Sequence, residues 1–304
     1  MTNVCFAAKA PTLFYLNNAG QVLRVNIDGT DRRILAEKQG VGPDGIALDA
    51  VKGHIYWTNM GKASVDDGTI MRANLDGTNV ITVVPAGGTF TPKQLKLDEK
   101  NRKLYWSDRE GMRVLRSNLD GSKIETLVIT GAGDEDRKDQ SKWCVGIALD
   151  IERGKLYWTQ KGASDANQGT IKRMNLEIPT GEDPARRSDI EVLFSNLPEP
   201  IDLDIDSRKQ LIYWTDRGDN TISRAPLYPK AGYDPSGRKD RTVLVRGMRE
   251  AIGIALDLTR NRLYYTSLSG EVGVAKLDGG GAKTLLTDQG VLTGIMLVEA
   301  ATKR

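Results

Sequence analysis

Apolar residues recur along the chain in short runs without a helical period, and one phrase of alternating aromatic, small and polar positions keeps returning. The segments HIYWTN (54–59), KLYWSD (103–108), KLYWTQ (155–160), LIYWTD (211–216) and RLYYTS (262–267) are five copies of it, and TLFYLN (12–17) is a weaker sixth. The aromatic positions Phe14, Tyr56, Tyr105, Tyr157, Tyr213 and Tyr264 are separated, by subtraction, by 42, 49, 52, 56 and 51 residues. That is the length of one propeller blade, about 40–50 residues.

Seven residues before five of these aromatics an Asp ends a short apolar run: GIALD (45–49), QLKLD (94–98), GIALD (146–150), DLDID (202–206) and GIALD (253–257). Each run reads as a buried strand. A third run such as GTIMRANLDG (68–77) and a fourth such as VITVV (80–84) follow each phrase, so the pattern predicts four strands per unit. Asp-Gly pairs at 28–29, 76–77, 120–121 and 278–279 fall between the third and fourth strands, where a two-residue hairpin needs positive φ. Alternation along the phrase sends Tyr and Thr to one face and Trp and Asp to the other, so both faces can pack on neighbouring blades. The last run, TGIMLV (293–298), has the first-strand pattern with no phrase after it, and the first phrase has no such strand before it. The prediction is a single all-β domain over 1–304, a six-bladed β-propeller of four-stranded antiparallel blades closed by the C-terminal strand.

Composition narrows the function. Apolar residues at 39% and charged residues at 27% are ordinary for a folded globular chain with a sizeable core. The net charge is only +3 with bases and acids interleaved, which argues against nucleic acid and anionic membrane as partners. The densest basic spots, Arg186-Arg187 and Arg238-Lys239-Asp240-Arg241, read as solvated loop charge. No apolar run reaches membrane-spanning length and no signal segment is evident. With two cysteines, Cys5 and Cys144, and no glycosylation sequon, a cytoplasmic, reduced protein is expected. Nothing in the pattern specifies an oligomeric state.

The repeated phrase resembles the YWTD propellers of low-density-lipoprotein-receptor-type proteins, and the resemblance covers essentially the whole chain. Those receptor propellers are extracellular and flanked by cysteine-rich modules. Such modules are lacking here, so the receptor role does not travel with the fold.

Familiar catalytic motifs find little support. GVGPDG (40–45) fits G-x-G-x-x-G formally, but a strand follows it, so it reads as a blade-to-blade turn, as does GGG (279–281). His54 is the only histidine, which leaves no material for a histidine-based zinc site or triad. Cys144 reads as a buried thiol, and the acidic loop holding Asp134, Glu135, Asp136 and Asp139 as solvated, its spacing fitting no calcium loop. No metal and no cofactor are expected.

Departures from the repeat are more informative. Where the innermost strands carry Ala47, Ala148 and Ala255, the others carry Lys96, Asp204 and Met296; where they carry Gly45, Gly146, Gly253 and Gly294, the others carry Gln94 and Asp202. A charge on a channel-lining strand is costly unless paired or used. Lys96 and Asp204 are thus either a structural bridge or an acid–base pair at the channel mouth. The loops entering first strands and those joining second to third strands share one rim. On it lie Phe90, Lys93, Arg109, Glu199, Arg217 and Arg249, with Trp143 in the longest loop (130–144); Trp143 either caps a blade junction or packs on a ligand. The insertions 177–189 and 228–241 belong to the opposite rim.

Two function classes follow: a small-molecule enzyme or binder using the channel mouth, and a protein-interaction propeller. The chain is also similar in general build to stand-alone fungal propeller enzymes that dehydrate or cyclise polyketide and terpenoid intermediates, including hetero-Diels–Alderases. That resemblance implies a cofactor-independent cyclase or dehydratase, which could work by posing its substrate and polarising it. Lys96 and Asp204 would then be acid–base or polarising groups; Trp143, Phe90 and Met296 apolar walls; Gln94 and Asp202 polar neighbours; and Arg109, Arg217 and Arg249 would orient an oxygen-rich substrate. A metal-dependent lactone hydrolase, with Asp202 and Asp204 as carboxylates, is a third reading.

Overall fold

In the computed structural model, which describes residues 10–299, the chain forms six four-stranded antiparallel sheets, and almost nothing else is regular. Cys5 lies outside the described residues. The innermost strands are Pro43–Asp49, Pro92–Asp98, Cys144–Asp150, Pro200–Asp206 and Ala251–Asp257, for blades 2 to 6, and Leu292–Val298, for blade 1. The last pairs antiparallel with Thr12–Asn17, so blade 1 is made from both ends of the chain, as the pattern predicts. Among the described residues only a helical turn at Gly133–Arg137 and a short 3₁₀ turn interrupt the strands.

The alternation of the phrase builds the junctions. Trp57, Trp106, Trp158 and Trp214 are fully buried, each facing the preceding blade, whereas Tyr56, Tyr105, Tyr157 and Tyr213 face the following one. In blade 1, Tyr15 stands in the Trp position and Phe14 in the Tyr position, and they pack toward blades 6 and 2. Each blade therefore contributes to two junction cores, and burying both faces is the driving force for the ring.

At the axis, neighbouring innermost strands meet edge to edge, and the Thr or Ser that follows the two aromatic positions of the phrase stitches them. Thr58 Oγ1 accepts from Gly45 N–H (2.8 Å) and donates to the Lys93 carbonyl of blade 3 (2.7 Å). Thr159 does the same between Gly146 and Ile201 (both 2.7 Å). Thr215 links Asp202 N–H (3.1 Å) to Ile252 C=O (2.6 Å), and Thr266 links Gly253 to the Thr293 carbonyl. Ser107 donates to the Val145 carbonyl. Blade 1 has Leu16 there, and Thr293 of its innermost strand takes over, donating to the Pro43 carbonyl at 2.7 Å. All six junctions are stapled. The approach is close enough that a side chain at Gly45 would collide with the Lys93 carbonyl, and one at Gly294 with the Asp44 carbonyl, which is why these positions are glycine.

Two expectations need correction. The Asp-Gly loops are not two-residue hairpins: Asn26 N–H bonds to Thr30 C=O (2.9 Å) and Gly29 N–H to Asn26 C=O (2.9 Å), enclosing three residues. Only the glycine, Gly29 at φ +88°, is left-handed, which is a type I turn followed by a glycine bulge. Asp28 instead accepts from Thr30 N–H at 3.0 Å. Nor are the basic insertions wholly solvated. The Arg187 guanidinium is buried, bonded to the carbonyls of Leu127, Asn175 and Glu177 (2.8–3.0 Å) and to Asp189. Arg238 is buried too, stacked 4.0 Å from the Phe194 ring centroid and paired with Asp240. With five donors fixed in a plane, one guanidinium can satisfy several loop carbonyls at once.

Replacing Thr159 by the isosteric Val should lower unfolding free energy by roughly 1–3 kcal/mol, because it orphans a buried N–H and a buried carbonyl. Thr159→Ser, the residue nature places at 107, should cost less. Chemical denaturation measures both, and equal stability of Val, Ser and wild type would contradict the staple.

Candidate functional site

The channel mouth on the rim of the entering loops holds a cavity of about 240 Å³. Its floor comes from the second residue of each innermost strand. Val145, Ile201 and Ile252 cluster there with Leu268, while Asp44, Lys93 and Thr293 complete the circle. A bulge in the innermost strands next to this position departs from simple pairing and sets these side chains over the axis.

The walls are electrically lopsided. From blade 3 to blade 5 run Lys93, Arg109, Lys161 and Arg217; from blade 6 to blade 1 the lining is Ile252, Leu268, Val291, Thr293 and Asn18. The Lys93 ammonium pairs with Asp44 and contacts Met60 Sδ at 3.3 Å, and Gln94 Nε2 donates to the other Asp44 oxygen at 3.0 Å. Lys161 pairs with Glu199, which also accepts from Arg217 Nε at 3.0 Å. Arg109 Nη2 pairs with the buried Glu110 at 2.6 Å. Burial pulls the pKa of Lys93 and of Lys161 below the ordinary lysine value in spite of their carboxylate partners.

The phrase itself holds this machinery. Asp108 accepts from the amides of Phe90 and Thr91 (2.9 and 2.6 Å), fixing the loop that leads to Lys93, and from Arg113. Asp216 accepts from Glu199 N–H at 2.9 Å. Trp143 lies behind the cations, its centroid 4.9 Å from the Arg109 guanidinium and 5.7 Å from the Lys161 ammonium, and its indole N–H donates to the Arg137 carbonyl at 2.9 Å. It stacks on site cations and braces the junction. Phe90 carries Arg137 on its face at 4.0 Å and stands outside the cavity lining. Arg249 is exposed on its loop and is not part of the lining either.

Lys96 and Asp204 occupy a different level. They stand three residues along their strands from the floor positions Lys93 and Ile201, beneath the floor rather than at the mouth. They are not within ion-pairing distance, so the direct bridge is not made. Asp204 instead accepts from Ile205 N–H (2.9 Å) and from Leu256 N–H of blade 6 (3.2 Å), and Asp202 from Leu203 N–H (2.8 Å) and Ile254 N–H (3.1 Å). These carboxylates thus cover the exposed inner edge of blade 6. Burial works against the Lys96 charge, but the attraction of Asp204 and Asp202 across the axis outweighs it and raises its pKa. Burial pushes Asp202 up to about 7, against the opposing pull of Lys96 and of its backbone donors. Met296 packs on the blade 1–2 core and not at the mouth.

Other candidates stay structural. The Cys144 thiol is buried, and burial pushes its pKa up to about 12. Asp136 pairs with Lys142 in the acidic loop. Among the described residues no cluster of three potential metal ligands occurs, and no helix is long and apolar enough to cross a membrane. Sequence reasoning missed Asp44, Lys161 and Ile252 as site residues. The signal was available for Asp44 and Lys93, the only charged residues at the second position of the innermost strands.

The fold and site define a YWTD-type six-bladed propeller with a polarised pocket at one end of its channel. The chain is 41% identical over 289 residues, covering 92% of both chains, to a "Low-density lipoprotein receptor-related protein 1" of Pyricularia oryzae. It belongs to this low-density-lipoprotein-receptor-related family of propellers. It is also 37% identical to a "3-hydroxyacyl-CoA dehydrogenase-like protein LAM1" of Cochliobolus heterostrophus, across 88% of this chain but only 60% of that protein. Among solved structures, a chain of a nidogen/laminin complex superposes with a TM-score of 0.74 at 22% identity, over 95% of this chain and 98% of that one, a likeness of fold. No family model matches.

The Asp202 carboxyl should titrate near 7 by ¹³C NMR, and Lys96→Met, which removes the charge that lowers it, should move the midpoint upward. Because the folded-state pKa lies above the ordinary carboxylate value of about 4, this group favours the folded state at low pH and that contribution is lost as pH rises through about 7. A midpoint near 4 would contradict the burial argument.

Proposed function

We propose that the chain is a small-molecule-binding propeller whose ligand sits in the bowl at the channel mouth. The observation that carries the reading is the pairing of the apolar floor patch Val145–Ile201–Ile252 with an arc of positioned charges on one side of the same cavity, the composition expected of a ligand site. Filling a channel mouth needs no such charges; a stability role alone is served better by apolar side chains. The receptor-related names of relatives fit a binding role without catalysis, and the name of the Cochliobolus relative associates it with acyl metabolism.

Catalysis is the second reading, in the form of a cofactor-independent cyclase or dehydratase of natural-product biosynthesis, with a polyketide- or terpenoid-like substrate. What favours it is Lys96 facing two carboxylates within the channel, one of them titrating near neutrality. It ranks second because the Val145–Ile201–Ile252 floor stands between that cluster and the bowl. A substrate would have to pass the floor to meet Lys96 or Asp204.

Native mass spectrometry of the protein incubated with a small-molecule extract of the producing organism tests the binding reading. A retained compound is expected, and Val291→Trp, which projects a ring into the bowl from an exposed position, should lose it with an unchanged melting curve. Retention of nothing by wild type, or equal retention by the Trp variant, would overturn the reading. Conversion of the retained compound by wild type but not by Lys96→Met would promote the catalytic reading.

A further inference from the structure

Resting on the binding reading, we infer that the ligand is an organic oxyanion: a carboxylate or phosphate head seated against Arg109 and Arg217, with a short apolar body over Ile201, Ile252 and Leu268. The lining carries four cationic heads, Lys93, Arg109, Lys161 and Arg217, and two carboxylates, Asp44 and Glu199. The carboxylates are almost wholly shielded, with side chains 1% and 2% exposed, whereas Arg109 and Arg217 keep 21% and 29% of theirs open. Whatever enters the bowl therefore meets guanidinium and not carboxylate.

The hydrogen-bond inventory points the same way. A guanidinium has five donors arranged as a fork that fits an oxyanion in bidentate fashion. Arg109 uses Nη2 on Glu110, and its Nη1 makes no hydrogen bond among the described residues while the side chain stays 21% open. Arg217 spends Nε on Glu199 and one Nη on Ser164, at 3.0 and 3.1 Å. Lys161 lies between the two arginines, held by Glu199, so its charge adds to theirs without competing for the head group. Across the bowl the wall from Ile252 to Val291 offers apolar contact and only Asn18 and Thr293 as polar groups. A neutral ligand would leave the open guanidinium donors of Arg109 and Arg217 desolvated and unmatched, and because the four cations outnumber their carboxylate partners Asp44, Glu110 and Glu199, a cation is disfavoured. An inorganic ion alone would leave the apolar half unfilled.

Ligand-observed NMR titrations with hexanoate, hexyl phosphate and 1-hexanol test this directly. At least one of the two anions should bind ten-fold or more tightly than hexanol, and which one does so identifies the head group. Arg217→Gln should weaken that anion at least ten-fold, whereas Arg186→Gln, the same charge change at an exposed position of the opposite rim, should leave it unchanged. Val291→Trp should abolish it, locating the probe in the bowl. Hexanol binding in the bowl as well as the anions do would overturn the oxyanion inference and leave the small-molecule reading standing. Anion binding that ignores Arg217→Gln, or no binding by any of the three probes, would also overturn it, and the extract experiment then decides the broader reading by itself.

Discussion

The ring stands or falls on how six sheet edges are satisfied at its axis. An innermost strand has one edge paired within its blade and the other turned toward the channel, and buried amides and carbonyls on that side must find partners. A hydroxyl solves the problem because it accepts and donates at once: the Thr of the phrase takes an N–H from its own blade and gives its proton to a carbonyl of the next. Blade 1 breaks the phrase with Leu16 and recovers the bond through Thr293. At the blade 5–6 junction, Asp202 and Asp204 add carboxylates to the same task.

That constraint explains where function can be placed. Most of the innermost strand is committed to contacts with its neighbours, and small residues such as Gly45 and Gly294 are enforced by the closeness of the adjoining strand. The second position, beside the bulge, and the loops on the same rim are the places whose side chains reach the bowl. It is there that Asp44, Lys93, Arg109, Lys161, Glu199 and Arg217 gather, and the last residue of the phrase, Asp108 or Asp216, anchors the loops that carry them.

Much of this was legible in the sequence because it is periodic. Blade number, strand order, closure and the opposed faces of Tyr and Trp follow from repeats of one phrase, and six junction cores bear them out. The site was legible only in part. Comparing repeats singled out Lys96, Asp202 and Asp204, but depth along the channel depends on a bulge that alternation alone does not reveal, so these residues fell beneath the floor. Arg109 and Arg217 follow the phrase directly and so mark the rim, and Lys161 stands at the same position after its own phrase, so its place was legible too. Arg187 and Arg238 looked solvated because a loop's carbonyls leave no mark in a sequence.

On the proposed reading, small molecules are received at the channel mouth, on the floor made by the second residue of the innermost strands. Isoleucine-methyl NMR, with the producing organism's small-molecule extract titrated into labelled protein, tests it most directly. Ile201 and Ile252 methyl resonances should shift and saturate while Ile34 and Ile190, on outer strand and opposite-rim segments, stay fixed. Shifts centred on the outer isoleucines, or silence at Ile201 and Ile252 while a macromolecular partner perturbs the rim, would contradict the account.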